Sequence, residues 1–195
     1  MRKKAVFIDR DGTLSKEVGY VNHVDRFHLI EKSAEAIKLL NESDLLAIVV
    51  TNQAGVARGY FPEWVVDKIH QKMHALLKEK GAYLNAVYYC PHHPQAKIER
   101  YRKNCPCRKP KTGMLKKAAK ELNIDLDKSY IIGDKYSDID FGKRVGATTI
   151  MVKTGYGKGE ILFYESIWQK SPPKPDFVAD NLFYAVKWIL NREYN

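Results

Sequence analysis

The stretch Ala5-Val6-Phe7-Ile8-Asp9-Arg10-Asp11-Gly12-Thr13-Leu14 decides how this chain is read. Its four leading apolar residues, aromatic and β-branched in character, predict a short buried strand. Asp9 and Asp11 follow at the strand's carboxyl end. Residues i and i+2 of an extended chain project to one face, so both acids can reach one point. Gly12 then allows a sharp turn. Paired acids in this position can hold Mg²⁺, and one of them can attack phosphorus while the other moves protons. A strand closed by an Asp-Gly turn explains the stretch equally well if it stands alone. The rest of the chain breaks that tie.

Ser15 to Lys32 has little periodicity and reads as a connection. It carries Glu17-Val18-Gly19-Tyr20 within reach of anything held by the acids. Ser33 is expected as the N-cap of a helix to about Ser43, with Ala34, Ile37 and Leu40 inward. Leu45 to Val50 is a continuous apolar run, the pattern of a parallel strand covered on both faces. It ends in Thr51-Asn52-Gln53-Ala54-Gly55, where a threonine hydroxyl and free backbone N–H groups suit a phosphate. A second helix is expected over Pro62 to Lys80, with Val65, Val66, Ile69, Met73, Leu76 and Leu77 as core and Gly81 beyond its end. His70 and His74 in it read as packing or surface residues. A third strand spans Ala86 to Tyr89.

Directly after that strand comes Cys90-Pro91-His92-His93-Pro94, followed at a distance by Cys105-Pro106-Cys107. Cys90, His92, Cys105 and Cys107 form a closed set of three thiolates and one imidazole, suited to structural Zn²⁺, with His93 as the competing imidazole. The loop over residues 90–109 ends by delivering Arg108 and Lys109. Lys109 can neutralise a transferring phosphoryl group and Arg108 can fork onto a second anion. A helix from Gly113 to Asn123 leads to a fourth strand, Ser129 to Gly133, which ends in Asp134 and Lys135. Asp134 is the natural third oxygen donor beside Asp9 and Asp11, and Asp138 can orient Lys109 or a bound water. A fifth strand covers Ala147 to Val152. Gly155, Gly157 and Gly159 mark a loop, residues 160–175 a surface excursion, Phe177-Val178 a sixth strand, and Asn181 to Asn191 a closing helix.

The chain has 195 residues, 29% charged and 45% hydrophobic, ordinary for one globular domain with a substantial core. Its apolar runs are too short for a signal peptide or a membrane span, so a cytoplasmic protein is expected. Three clustered cysteines in a reducing compartment favour metal over disulfide. The net charge of +10 suits an anionic ligand, as it would a solvated lysine-rich surface. The run Lys97 to Lys103 raises the alternative of a zinc-organised nucleic-acid-binding module, but Glu99 interrupts it and no recognition helix follows. Alternating strands and helices predict an α/β fold, a Rossmann-like doubly wound parallel sheet whose strand ends gather Asp9, Asp11, Thr51 and Asp134.

Asp9-Arg10-Asp11-Gly12-Thr13, Thr51-Asn52, Lys109 and Gly133-Asp134-Lys135 with Asp138 occur in that order along nearly the whole chain. They resemble the signatures of the haloacid dehalogenase (HAD) phosphatase superfamily. Within it, the zinc ligands and Cys107-Arg108-Lys109-Pro110 resemble the branch holding histidinol-phosphate phosphatases and D-glycero-D-manno-heptose 1,7-bisphosphate phosphatases. The long interval from His92 to Cys105 and the segments Gly19 to Val21 and Thr51 to Gly59 favour the heptose side.

The resemblance implies a single capless HAD-like domain spanning 1–195 that acts as a monomeric Mg²⁺-dependent phosphatase. Asp9 would be the nucleophile and Asp11 the acid–base. Asp9, the Asp11 carbonyl and Asp134 would hold Mg²⁺, and Thr51 and Lys109 would stabilise the phosphoryl group. Glu17, Val18, Gly19, Tyr20, Asn52, Gln53, Ala54, Arg108 and Lys135 would bind substrate. The implied reaction removes the C7 phosphate of the heptose bisphosphate on the way to ADP- or GDP-heptose, with histidinol phosphate as the alternative substrate. A phosphorylated small molecule is the expected partner, with no nucleic acid and no membrane.

Overall fold

The computed structural model describes residues 2–162 and 173–194. Six parallel strands form one sheet: β1 (Lys4–Ile8), β2 (Leu45–Asn52), β3 (Ala86–Cys90), β4 (Tyr130–Gly133), β5 (Thr148–Val152) and β6 (Phe177–Ala179), in the order β3-β2-β1-β4-β5-β6. The chain winds outward from β1 in one direction, then returns to β4 on its other side and winds the opposite way. The crevice beyond the carboxyl ends of β1 and β4 is therefore the topological switch point, where such sheets bind ligands.

Strand alternation sends successive β1 residues to opposite faces. Val6 and Ile8 pack in one cluster with α1 (Ser33–Asn41), the short α2 (Ala54–Ala57), α3 (Glu63–Glu79) and the C-terminal helix α7 (Leu182–Tyr194). Ala5 and Phe7 pack with α4 (Gly113–Leu122) and with Phe141 of α5 (Tyr136–Lys143). The sheet is thus covered on both faces, which explains the unbroken apolar run of β2. Register pairs Ile8 with both Val49 and Ile132. The residues just beyond these pairs, Asp9, Thr51 and Asp134, consequently emerge side by side.

Three local expectations are corrected. Ser33 is the first helical residue of α1, not its N-cap; Lys32 holds the cap position with φ +62° and makes no side-chain cap bond. The glycine-marked loop contains a short helix, α6 (Gly157–Leu162). The closing helix runs on to Tyr194 because Glu193 accepts hydrogen bonds from Lys4 Nζ and Tyr130 Oη, both at 2.6 Å, clasping it to β1 and β4. Most of the expected surface excursion, 163–172, lies outside the described residues. Among the described residues no helix is long and apolar enough to cross a membrane.

Candidate active site

Asp9 leaves β1 buried, and Gly12, at φ +86°, turns the chain away so tightly that any side chain there would collide with Asp134. The 90–109 loop inserts Lys109 from the other side. Its ammonium lies 2.7 Å from Asp9 Oδ1 and 2.6 Å from Asp138 Oδ1, and donates to the Val50 carbonyl at 3.0 Å. All three ammonium donors are thereby engaged. Burial alone would lower the Lys109 pKa, but Asp138 and Asp9 drive it above its ordinary value. Burial raises the Asp9 carboxyl to about 6, with Lys109 pulling against the rise and Asp138 and Asp11 adding to it.

Asp134 completes the floor. Carboxylate oxygens of Asp9, Asp134 and Asp138 lie within 4.8 Å of one another. Asp134 Oδ2 accepts the Tyr156 amide at 2.8 Å, whereas its Oδ1 is buried with no partner among the described residues. Burial, Asp9 and Asp138 push its carboxyl up to about 8. Three crowded acids against one lysine leave negative charge unbalanced in a dry place. An orphaned oxygen aimed into that cluster fits a hard divalent cation.

Asp11 stands apart from this trio. Burial disfavours its ionisation, but the charge and hydrogen bonds of Arg10, joined by Gln53, hold the carboxyl below its ordinary value. Arg10 is fully buried and forks onto Asp11 at 3.0 and 2.7 Å, and Gln53 Nε2 donates to it at 2.9 Å. Behind Arg10, at 3.3 Å from Nη1, is Nε2 of His70 on α3. Burial and the Arg10 charge push His70 down to about 3, so it is a neutral acceptor. His70 thus has a place in the site that its helical spacing alone did not reveal. Gln53 Nε2 also donates to Thr51 Oγ1 at 2.9 Å, which leaves the threonine O–H free to donate.

Glu17, Gly19, Tyr20, Asn52, Gln53, Ala54, Arg108 and Lys135 all line a cavity of about 220 Å³ above Asp9, Asp11 and Thr51. Val18 does not join them: it packs against the core and its carbonyl accepts Arg26 Nη2, while Val21 takes the lining position. The Asn52 side chain is also engaged elsewhere. Its Oδ1 accepts the Lys109 amide at 3.1 Å and its Nδ2 donates to the Lys109 carbonyl at 3.3 Å. Asn52 therefore fixes the peptide that carries Lys109. Tyr156, a lining residue absent from the expected set, belongs to the segment whose glycines read as an open loop.

In the 90–109 loop, Cys90, His92, Cys105 and Cys107 converge on one point, and the imidazole among them is that of His92. The Sγ atoms lie 3.0–3.4 Å apart and remain free thiols, with His92 Nδ1 3.5 Å from Cys107. His93 Nδ1 instead accepts the Gln95 amide. Burial and neighbouring sulfurs push the Cys90 and Cys107 thiols up, a crowding that a shared cation would relieve. The set fits a tetrahedral, sulfur-tolerant metal with no position left open. Tyr101 of the loop and Tyr89 of β3 just before it are tied to α3, their hydroxyls donating to Glu63 at 2.6 and 3.0 Å. Two cations of the basic run are spent locally: Arg100 lies over the Tyr101 ring and Arg102 donates to the Ala96 carbonyl.

Residues 106–185 match a family model described as HAD-hydrolase-like. The D-glycero-beta-D-manno-heptose-1,7-bisphosphate 7-phosphatase of Haemophilus ducreyi is 41% identical over 191 residues, covering 97% of this chain and 100% of that protein. The protein of the same name from Escherichia coli K12 is also 41% identical, over 96% of this chain and 88% of its own length. A crystal structure of D,D-heptose 1,7-bisphosphate phosphatase from B. bronchiseptica, complexed with magnesium and phosphate, superposes with a TM-score of 0.85 at 29% identity, covering 97% of this chain and 99% of that one. The chain belongs to the HAD-like hydrolases, in the family of these heptose-bisphosphate phosphatases.

Proposed function

We propose that the chain hydrolyses the C7 phosphate of D-glycero-D-manno-heptose 1,7-bisphosphate, taking the β anomer named for its relatives. The observation that carries this reading is Asp9, held by Lys109 at 2.7 Å beside the Asp134 oxygen that has no partner among the described residues, beneath a pocket whose walls offer Arg108 and Lys135. A bisphosphate presents one phosphoryl group to the floor and a second anionic group to those cations.

Asp9, Asp134 and the Asp11 carbonyl would hold Mg²⁺, with Asp138 the further carboxylate in the cluster. When bound, Mg²⁺ supplies charge neutralisation at the phosphoryl oxygens. The Asp9 oxygen not taken by Lys109 attacks phosphorus, and the bond from phosphorus to the C7 oxygen breaks. Lys109 and the Thr51 hydroxyl stabilise charge on the equatorial oxygens. Asp11 passes a proton to the departing sugar oxygen. Arg10 holds it as a carboxylate in the free site, so it takes up a proton from solvent before this transfer and returns one to solvent after the second half. In the second half, Asp11 takes a proton from water as that water attacks the aspartyl-phosphate, releasing phosphate and restoring Asp9.

Zn²⁺ is the metal we assign to Cys90, His92, Cys105 and Cys107, in a structural role that anchors the loop two residues before Lys109. Reduced thiols at such a site suit the cytoplasm.

The test is phosphate release with Mg²⁺ from both C1 anomers of the heptose bisphosphate and from histidinol phosphate. A preference of kcat/KM for the β-bisphosphate over histidinol phosphate of about 100-fold, or about 2.7 kcal/mol, is expected. A preference for histidinol phosphate would overturn the substrate assignment.

A further inference from the structure

The segment after β5 is pinned against the catalytic turn. The Thr154 hydroxyl donates to the Gly12 carbonyl at 2.6 Å, and the Tyr156 amide donates to Asp134 Oδ2 at 2.8 Å. Between them Gly155, at φ +56°, lies so close to Asp134 and Gly12 that no side chain fits. A backbone fixed on both sides gives the half-exposed Tyr156 ring a set position on the pocket wall.

The ring face meets Lys135. Lys135 Nζ sits 4.2 Å from the Tyr156 ring centroid, within cation–π range. On its other side, Glu17 Oε2 is 3.7 Å away, and Glu17 Oε1 accepts the Gly19 amide at 2.6 Å. The chain of contacts therefore runs from the Gly19 loop through Glu17 and Lys135 to Tyr156, along the lining of the cavity. A lysine ammonium on a flexible stem needs such support, unlike the rigid fork of Arg108 on the same pocket. A ring face supplies it without adding a second carboxylate to the one that Glu17 already presents.

We propose that Tyr156 is a specificity-determining positioning residue, holding Lys135 on the pocket wall to meet an anionic group of a phosphorylated substrate. This rests on the proposed function for the identity of that substrate. It also assigns a role to the segment that the glycine pattern left as loop.

The experiment pairs steady-state kinetics with calorimetric binding of heptose 1,7-bisphosphate to Asp9→Asn variants in Mg²⁺, where turnover is removed. Tyr156→Ala should raise KM, and Kd in the Asp9→Asn background, by roughly fivefold, with a smaller change in kcat. Tyr156→Phe keeps the ring face and should restore both constants. In a Lys135→Met background, Tyr156→Ala should add nothing further. An unchanged KM and Kd in Tyr156→Ala would overturn the inference, as would an equal effect with and without Lys135 or a failure of Tyr156→Phe to restore binding. If Tyr156→Ala does not fold, Tyr156→Leu takes its place in the same comparisons. A bisphosphate that binds as described but is not turned over by the unmodified chain would remove the proposed function and leave this inference standing. No turnover by the unmodified chain together with no binding by either chain would overturn both.

Discussion

Two clusters of metal-ligating side chains lie on either side of Lys109, and they are built in opposite ways. Asp9, Asp134 and Asp138 are buried at the ends of β1 and β4 and the start of α5, in the middle of the sheet. Their positions follow from strand register and from helices packed on both faces. Cys90, His92, Cys105 and Cys107 are mostly half-buried, on a loop that leaves the edge strand β3. Ala96, Ile98 and Tyr101 pack the middle of that loop on the core, whereas its closing turn, from Cys105 to Lys109, gathers around the sulfurs. Lys109 belongs to both regions: the loop delivers it and the carboxylates receive it.

The comparison predicts different consequences for damage on the two sides. Asp9→Asn should reduce turnover to the background rate while thermal unfolding stays near the parent's, because the sheet positions the residue whatever its charge. Substantial remaining activity would break the nucleophile assignment. Lys109→Met should come next, lowering kcat by roughly 10²–10³-fold as a stabiliser of transition-state charge. Removing the proposed loop metal by chelation, with Mg²⁺ then restored, or replacing Cys107 with Ser, should also lower kcat, through displacement of Lys109, while far-ultraviolet circular dichroism of the sheet and its helices persists. A loss of the whole fold would contradict the division into a self-supporting sheet and a metal-dependent loop.

Smaller effects sharpen the division. Asn52→Ala removes both hydrogen bonds to the Lys109 peptide and should lower kcat by about tenfold with little change in KM. A rise in KM alone would return Asn52 to direct substrate binding. Asp176, remote from both clusters, serves as the control. Burial would raise its carboxyl, but Lys143 and Thr149 outweigh that and hold it below the ordinary range. Its stabilising contribution is therefore complete above the unfolded carboxyl pKa, near 3.9, and is lost as pH falls through the lower folded value. Asp176→Ala should cost about 1 kcal/mol in denaturant unfolding at neutral pH and leave kcat unchanged. The cost should fade in acid.

The same contrast explains what could be read from the sequence. Buried parallel strands announce themselves as apolar runs, and acids at their ends stand out because polar residues interrupt those runs. The Cys and His ligands are chemically distinctive at any spacing. Contacts made only by tertiary approach were not legible in this way. His70 sits in a helical core stripe and nothing local marks it as the partner of Arg10. Asn52 lies in a phosphate-like strand end, yet its amide turns to the Lys109 peptide. Gly155 and Gly157 suggest flexibility, whereas close packing on Asp134, Gly12 and the Val152 carbonyl requires them. Glycine content alone cannot distinguish these two causes.

The most direct test of the account is acid quenching of the enzyme during turnover with Mg²⁺ and a ³²P-labelled substrate, followed by peptide mapping. The account predicts an acyl phosphate on Asp9, hydroxylamine-sensitive and absent from Asp9→Asn. Label on another residue, or full turnover with no labelled protein at any quench time, would contradict it.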